Sequence, residues 1–293
     1  MEKSRPKRLE LTKPSKVLFP DPGITKADLA EYYASAAGKM LPHIAERPLM
    51  LLRCPDGYRK KGFFQKNWNK TLPASIKKLS VKYRGESSDL LMIDSAEGII
   101  ELAQLAVLEV HLWNTHADHP ESPDQFVFDI DPSEGLGWRE VRKAALLVRR
   151  DLRRYGLRSF AKVTGGKGLH VVAPVLPFLR WELGKDFCRA ICQDLTERNP
   201  DLFLVNMSLA RRAGKIFLDY LRNGRGATSI APYSPRARPR APLAMPVSWE
   251  ELGPRPLGFP LTDSGPRLSR AFKDPWSDSF KLKQFPTRSV MAA

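Results

Sequence analysis

The sequence predicts an α+β fold with antiparallel and mixed sheets. Short apolar runs of β type occur at residues 48–53 (PLMLLR), 62–65 (GFFQ) and 125–131 (QFVFDID). Two segments, 25–43 and 138–155, instead repeat their apolar residues at helical spacing. Strand and helix signals do not alternate in the regular order that a doubly wound parallel sheet requires. The 293 residues suffice for one large domain or two small ones.

The elements follow in order. The first 16 residues read as a flexible arm or an extended strand, basic at its start. Pro22-Gly23 supplies a turn, and Thr25-Lys26-Ala27-Asp28 reads as a capping box that opens a helix through about His43. The strands at 48–53 and 62–65 flank the turn Pro55-Asp56-Gly57. Residues 98–112 (GIIELAQLAVLEVHL) are apolar on nearly every face, which predicts a buried helix. The strand 125–131 stops at Pro132, and the next helix sets Trp138, Val141, Ala145, Val148, Leu152 and Tyr155 on one side. Its other faces carry seven Lys or Arg, and Gly156 ends it. Strands at about 158–163 and 169–175 enclose a glycine-rich turn, and a helix follows at about 184–198. A hairpin is expected over 203–221, turning at Ala213-Gly214, and the five prolines of 232–246 predict an ordered, irregular loop.

Composition narrows the function. There are 48 Lys+Arg against 32 Asp+Glu, a net charge of +16, and the excess is uneven. Between Tyr220 and Trp249 no acidic residue occurs, while Arg222, Arg225, Arg236, Arg238 and Arg240 all fall there. Such a surface favours polyanionic partners, nucleic acid first and anionic membrane second. No run of 18 apolar residues exists, so nothing is expected to span a membrane, and the polar N-terminus is no secretory signal. Three cysteines are too few for a disulfide framework and fit a reducing, cytoplasmic setting. Cys188 and Cys192, one helical turn apart, read as buried thiols rather than metal ligands.

Two constellations carry chemistry. Asp129 and Asp131 stand two apart at a strand end, so both carboxylates share one face. Adjacent carboxylates repel unless a cation lies between them, which makes a divalent ion the natural occupant. Asp219 lies in the apolar run IFLDYL, where an unpaired carboxylate is costly. Three such groups suit a two-metal site. An EF-hand is excluded because Glu134 stands where Gly is required and Pro132 interrupts the loop. The second constellation is Thr164-Gly165-Gly166-Lys167-Gly168-Leu169-His170, whose backbone N–H groups can point at an anion between two strands. It lacks Walker A spacing. Thr164, Lys167 and His170 are candidates to complete a triphosphate cradle, although a glycine-rich hairpin with a structural His is the plainer alternative. His111, His116 and His119 cluster in sequence, but with no Cys partner the last two are read as loop residues. Trp68, Trp113, Phe63 and Phe64 are candidates for stacking on bases or for the core.

FVFDIDP, KVTGGKGLHVVAP and FLDYLRNGRGATSIAPYSPRARPRAP, in this order and spacing, resemble the polymerase domain of bacterial ATP-dependent DNA ligase D. That domain belongs to the archaeo-eukaryotic primase superfamily and serves non-homologous end joining. LTKPSKVLFPDPGITKADLAEYY, RPLMLLRCPDG, GFFQKN and ELAQLAVLEVHLW extend the resemblance over about residues 9–285. It implies a primase-polymerase domain over 9–285, of two packed subdomains, between a basic arm (1–8) and a tail (286–293). It further implies an RRM-like catalytic sheet flanked by a second α/β unit.

The resemblance implies Asp129, Asp131 and Asp219 as ligands of two divalent ions, Mn²⁺ in preference to Mg²⁺. Thr164, Lys167, His170 and Arg222 would lie near the triphosphate of an NTP or dNTP, with Arg53, His111 and Arg236 lining the nucleotide pocket. Lys13, Lys16 and Lys26 would meet a template 5′-phosphate, and Phe63 or Phe64 would stack where the template turns. Position 164 is Thr where Ser is common, which keeps the hydroxyl, and position 13 is Lys where some members have Asn. The implied partners are gapped or broken DNA with a 5′-phosphate, nucleoside triphosphates preferably as ribonucleotides, Ku, and fused or separate ligase and phosphoesterase domains. No lysine-centred ligase motif or His-rich nuclease segment occurs, so an excised domain or a stand-alone, nucleoid-associated polymerase is expected. The rival readings are a nucleic-acid-binding module without catalysis and a D-x-D glycosyltransferase, which would not need the basic surface.

Overall fold

The computed structural model describes residues 10–83, 86–206 and 212–287. The expected arm at 1–8, and most of the expected tail at 286–293, lie outside them. The N-terminal part runs β1 (Val17–Phe19), β2 (Ile24–Thr25), α1 (Lys26–Ile44), β3 (Leu49–Arg53), β4 (Phe63–Gln65), β5 (Ile76–Tyr83), β6 (Glu86–Ile93), α2 (Ala96–Glu101) and β7 (Val107–Trp113). The remainder runs β8 (Gln125–Pro132), α3 (Trp138–Arg154), β9 (Phe160–Val163), β10 (Leu169–Pro174), α4 (Trp181–Arg198), β11 (Phe203–Leu204), β12 (Ile216–Asp219), β13 (Thr228–Ile230), β14 (Met245–Val247) and α5 (Gly265–Leu268).

Two six-stranded sheets result. One has the order β11-β12-β8-β10-β9-β14; in the other, β13-β7-β3-β6-β5 is joined by β4 on β3. This is the expected α+β class. Each sheet has its own core. On β8, Phe126, Phe128 and Ile130 pack beneath Val141, Ala145, Val148 and Leu152 of α3 and Phe187, Ile191 and Leu195 of α4. Each of the Phe, Ile, Leu and Val side chains contributes about 1.5–3 kcal/mol on burial. Alternation then turns Asp129 and Asp131 the other way, off the helix-covered face. Cys188 and Cys192 are buried free thiols in the same core.

The capping box at α1 forms as expected. Thr25 Oγ1 accepts from Asp28 N at 3.2 Å, and Asp28 Oδ2 accepts from Thr25 N at 2.7 Å. Such a cap contributes about 1 kcal/mol.

Two expected elements are corrected. Residues 98–112 are not one helix: α2 ends at Glu101, Ala106 takes φ 51°, and β7 begins at Val107. A run that is apolar on nearly every face has no period to separate helix from strand, and the β-branched Val107 and Val110 favour the strand. The hairpin over 203–221 is also wrong, since β11 pairs with β12 in parallel. Gly214 does turn, at φ 68°, but the connection crosses over to bring β12 between β11 and β8. The β5–β6 hairpin, an eight-pair ladder from Ile76↔Ile93 to Tyr83↔Glu86, is an addition that the sequence reading did not contain. Among the described residues, no helix is long and apolar enough to cross a membrane.

Candidate active site

Four strands set one row of polar residues across the first sheet. Asp219 on β12 pairs with Asp129 on β8, Asp129 with His170 on β10, and His170 with Lys162 on β9. Directly opposed residues share a face, so the register alone brings a carboxylate pair, an imidazole and an ammonium together. Asp131, two residues on from Asp129, joins them at the exposed end of β8.

The charges of this cluster are only partly balanced. Arg222, in a 3₁₀ turn just beyond β12, reaches both Asp129 Oδ2 (3.3 Å) and Asp219 Oδ2 (3.4 Å) through Nε. Arg212 Nη1 lies 3.1 Å from Asp131 Oδ2, and Leu221 N donates to Asp219 Oδ1 at 2.7 Å. Burial disfavours charge on Asp129, but His170 and Arg222 outweigh it and hold its carboxyl well below the usual range. Burial also pushes His170 down, towards the neutral imidazole, so Arg222 is the dependable cation beside Asp129. Asp131 is raised by burial and by the neighbouring Asp129 carboxylate. Asp219 is raised by burial, with Asp129 and Asp131 adding to it against Arg222. Three carboxylates, two of them raised by burial and by their neighbours, form an all-oxygen donor set, which fits hard divalent cations such as Mg²⁺ or Mn²⁺.

At the β9 end of this row Lys162 is fully buried, its ammonium donating to Ile230 O. Burial lowers it to about 7 despite the Asp129 charge. The sequence reading did not single it out, because a lysine inside the run FAKV carries no local signal of its depth.

The glycine-rich turn closes over the same face. Thr164 Oγ1 donates to Gly168 O at 3.0 Å, and Gly165 takes φ 70°. A Cβ on Gly168 would stand 2.6 Å from Ile130 O, so only glycine lets this turn approach β8. Arg236 clamps the turn to the second sheet: Nη1 donates to Thr164 O (2.6 Å) and Nε to Glu109 Oε1 (3.0 Å). Glu109 also shares a 2.8 Å hydrogen bond with His111 Nε2. Burial opposes its charge, but His111 and Arg236 prevail and lower its carboxyl to about 2.

Together these groups line a cavity of about 360 Å³ between the sheets. His111, Asp129, Asp131, Thr164, Lys167, His170, Arg222 and Arg236 all face it, joined by Arg238, which the sequence reading noted only as part of a basic run. Asp219 borders it through Arg222. Arg53 is not among the lining residues: its Nε donates to Leu105 O (3.1 Å) and its Nη1 to Gln65 Oε1 (2.8 Å), with the guanidinium 5.2 Å from the Phe63 ring centre. Phe63 and Phe64 are about half exposed, and the Phe64 ring lies edge-on to His111 at 5.8 Å. Trp113 is buried.

The lysine group lies elsewhere. Lys16 pairs with Asp56 at 2.6 Å. Lys26 is buried, and its ammonium reaches Thr12 O (2.9 Å), Thr12 Oγ1 (3.3 Å) and Gln104 Oε1 (2.9 Å). Burial, then Lys16 and Lys13, push Lys26 down, so the three ammonium groups share one corner. The first N–H groups of α1 are not free, because Lys26 N and Ala27 N donate to Lys16 O and Pro14 O.

Residues 25–276 match the family model of the LigD primase-polymerase domain. The multifunctional non-homologous end joining protein LigD of Pseudomonas aeruginosa is 37% identical over 279 residues, 94% of this chain and 33% of its own length. Its counterpart in Mycolicibacterium smegmatis is 34% identical over 250 residues, covering 85% of this chain and 33% of its own. The chain thus spans about a third of the length of the curated relatives it matches. Among solved structures, the polymerase domain of Mycobacterium tuberculosis ligase D in complex with DNA superposes with a TM-score of 0.87 at 32% identity, over 94% of this chain and 99% of that one.

Proposed function

The chain belongs to the LigD primase-polymerase family, and from that footing we propose that it is a nucleotidyltransferase acting on DNA in non-homologous end joining. It adds nucleotides to a primer 3′-OH and fills gaps at double-strand breaks. The observation that carries this reading is one cavity holding both an aspartate cluster and a glycine turn ringed with cations. Nucleotidyl transfer needs both: acceptors for divalent ions, and donors for a triphosphate.

Asp129, Asp131 and Asp219 are the residues that would hold two divalent ions, Mn²⁺ in preference to Mg²⁺. Such ions lower the pKa of an attacking hydroxyl and offset the charge of the leaving pyrophosphate. Arg222 and Lys167 bring fixed positive charge to the triphosphate, and His170 a hydrogen bond. Arg236 holds the turn in place against Glu109, so the cradle is set before a nucleotide arrives. His111 and Thr164 are the candidates to meet a ribose 2′-OH. Phe63 and Phe64, exposed on β4, offer faces on which template bases can stack. Arg53 acts on this account through Gln65 and Phe63, as a support of β4 rather than a nucleotide contact.

The relatives are multifunctional, so partnership with Ku and with ligase and phosphoesterase domains, and a place in the cytoplasm at the nucleoid, belong to the same proposal. The test is a labelled, gapped DNA with a downstream 5′-phosphate, incubated with each ribo- or deoxyribonucleotide and with Mn²⁺ or Mg²⁺. Template-matched extension that requires a divalent ion, faster with ribonucleotides, is expected. DNA retention without extension under any of these conditions would leave only a binding module.

A further inference from the structure

The loop between β7 and β8 gathers a second set of metal-type donors, away from the aspartates. It carries His116, His119 and Asp124 in the run NTHADHPESPDQ. Among the described residues, these form one group whose ligand atoms all lie within 4.8 Å of one another. We propose that His116, His119 and Asp124 bind a divalent transition-metal ion of the zinc class.

The loop is built to hold these side chains in place. His119 N donates to His116 O (3.3 Å) and Ser122 N to His119 O (3.0 Å), two successive turns that fold the histidines towards each other. Thr115 Oγ1 lies within 2.8 Å of His119 O and 2.7 Å of Ser122 O, tying the loop across its middle. Its base is closed by Asp124 N to Asn114 O (2.9 Å), and Ala117 N anchors it to Glu46 O (2.7 Å).

The donors suit such an ion. The two imidazole centres are 5.8 Å apart with the rings at 75°. Two nitrogens on one tetrahedral ion at ordinary Zn–N distances stand roughly 3.3 Å apart, so ligand atoms within 4.8 Å of one another have to close by about 1.5 Å at most. Asp124 supplies the carboxylate. One of its oxygens accepts from Arg47 Nη1 at 2.8 Å, while the other faces His116 Nδ1. Arg47 thus does for this carboxylate what outer hydrogen-bond partners do for metal-binding carboxylates generally: it fixes the orientation and keeps the group ionised. At the rim, Asp118 Oδ1 lies 3.2 Å from His119 Nε2.

Two imidazoles and one carboxylate are three protein ligands, the number that leaves a coordination position open. The three side chains face a cavity of about 330 Å³, also lined by His43, Gln125, Lys162 and Trp276. A water or a small anion has room there as the fourth ligand. Donor type separates this site from the aspartate cluster, because imidazole nitrogen favours zinc, cobalt or nickel while an oxygen-only set favours magnesium or manganese.

The competing account is a plain ion-pair network in which Arg47, Asp124 and His116 close the loop without any ion. Metal-stripped, tag-free protein should be titrated with Co²⁺ and Zn²⁺, reading the visible cobalt bands and, after gel filtration, the bound metal. One equivalent of zinc is expected, retained by the Asp129→Ala/Asp131→Ala double variant. Affinity should fall at least tenfold in His116→Gln and in His119→Gln, each checked for native circular dichroism. Should either His variant not fold, X-ray absorption on zinc-loaded wild type replaces it and must show two imidazole ligands. No retained zinc at micromolar free metal, loss of the equivalent in the double aspartate variant, or absorption lacking imidazole would each overturn the site.

Discussion

The aspartate pocket and the lysine corner at the start of α1 handle like charges in opposite ways. In the pocket, Asp129, Asp131 and Asp219 crowd together on the paired strands β8 and β12, and the Asp131 and Asp219 carboxyls are driven up by burial and by their neighbours. Arg222 is shared between two of them, so the cluster keeps unspent affinity for cations. In the corner, Lys16 already has Asp56, Lys26 has Thr12 and Gln104, and the helix N–H groups have backbone carbonyls. Repulsion left standing marks the place where binding energy is largest. Charge answered from within the protein leaves a ligand only the difference between two partners.

That difference is sharpest in Asp219→Asn, which keeps the oxygen that accepts from Leu221 N and removes the charge. On the proposed two-ion reading, in which Asp219 would be a shared ligand, nucleotide addition should fall by about a thousandfold or more. Single-turnover extension of a gapped DNA measures it, and a rate within tenfold of wild type would take Asp219 out of the site. The same variant should gain stability without metal. The Asp219 pKa is raised on folding, so the native state binds that proton more tightly than the unfolded chain. Its stabilising contribution is present below the unfolded value near 3.8 and is lost as pH rises through the higher folded value. Metal-free Asp219→Asn should therefore melt a few degrees above wild type at pH 7, the usual size for about 1 kcal/mol in a domain of this length. The gap should narrow towards pH 4, and Mn²⁺ should stabilise wild type more than the variant. Equal melting points at pH 7 would mean that the aspartates do not repel.

Much of this was legible from residue spacing. The i, i+2 placement of Asp129 and Asp131, alternating with Phe128 and Ile130, settles their common face, and Thr25 with Asp28 marks where α1 begins. The limits are just as physical. Residues 98–112 are apolar on nearly every face, so periodicity could not tell α2 and β7 apart from a single helix. The β11–β12 pairing is parallel because the chain crosses over, and turn residues such as Gly214 report a reversal without its destination. The site was legible where chemistry is local, as in Thr164–His170, and opaque where pairing is distant. Arg212 reaches Asp131 from 81 residues away, Glu109 meets Arg236 across 127, and Lys162 joins the row only through strand register. Arg53 shows the reverse case, a motif residue whose nearest partners in the free protein are structural.

The smallest expected effect tests the lysine corner itself. Burial, then Lys16 and Lys13, depress Lys26, and the crowding of the three ammonium groups is the electrostatic setting that a terminal phosphate dianion would relieve. Asp56 competes for Lys16 in the free protein, at 2.6 Å and largely in solvent. A solvent-exposed pair of this kind holds its partners only weakly, so removing the competitor should change phosphate preference by only about two- to fivefold. Paired substrates with a downstream 5′-phosphate or 5′-hydroxyl measure that preference as a ratio of affinities. Wild type should favour the phosphate, Asp56→Ala should widen the ratio, and Lys16→Ala should narrow it, while all three extend a simple primer–template alike. Raising salt should shrink every ratio, because the contacts lie near the surface. Lys26 is a poor first substitution, since its ammonium holds Thr12 and Gln104 and its loss would disturb the fold beneath. A ratio that stays constant across the three proteins would move 5′-phosphate recognition away from this corner and leave the lysines as supports for the start of α1.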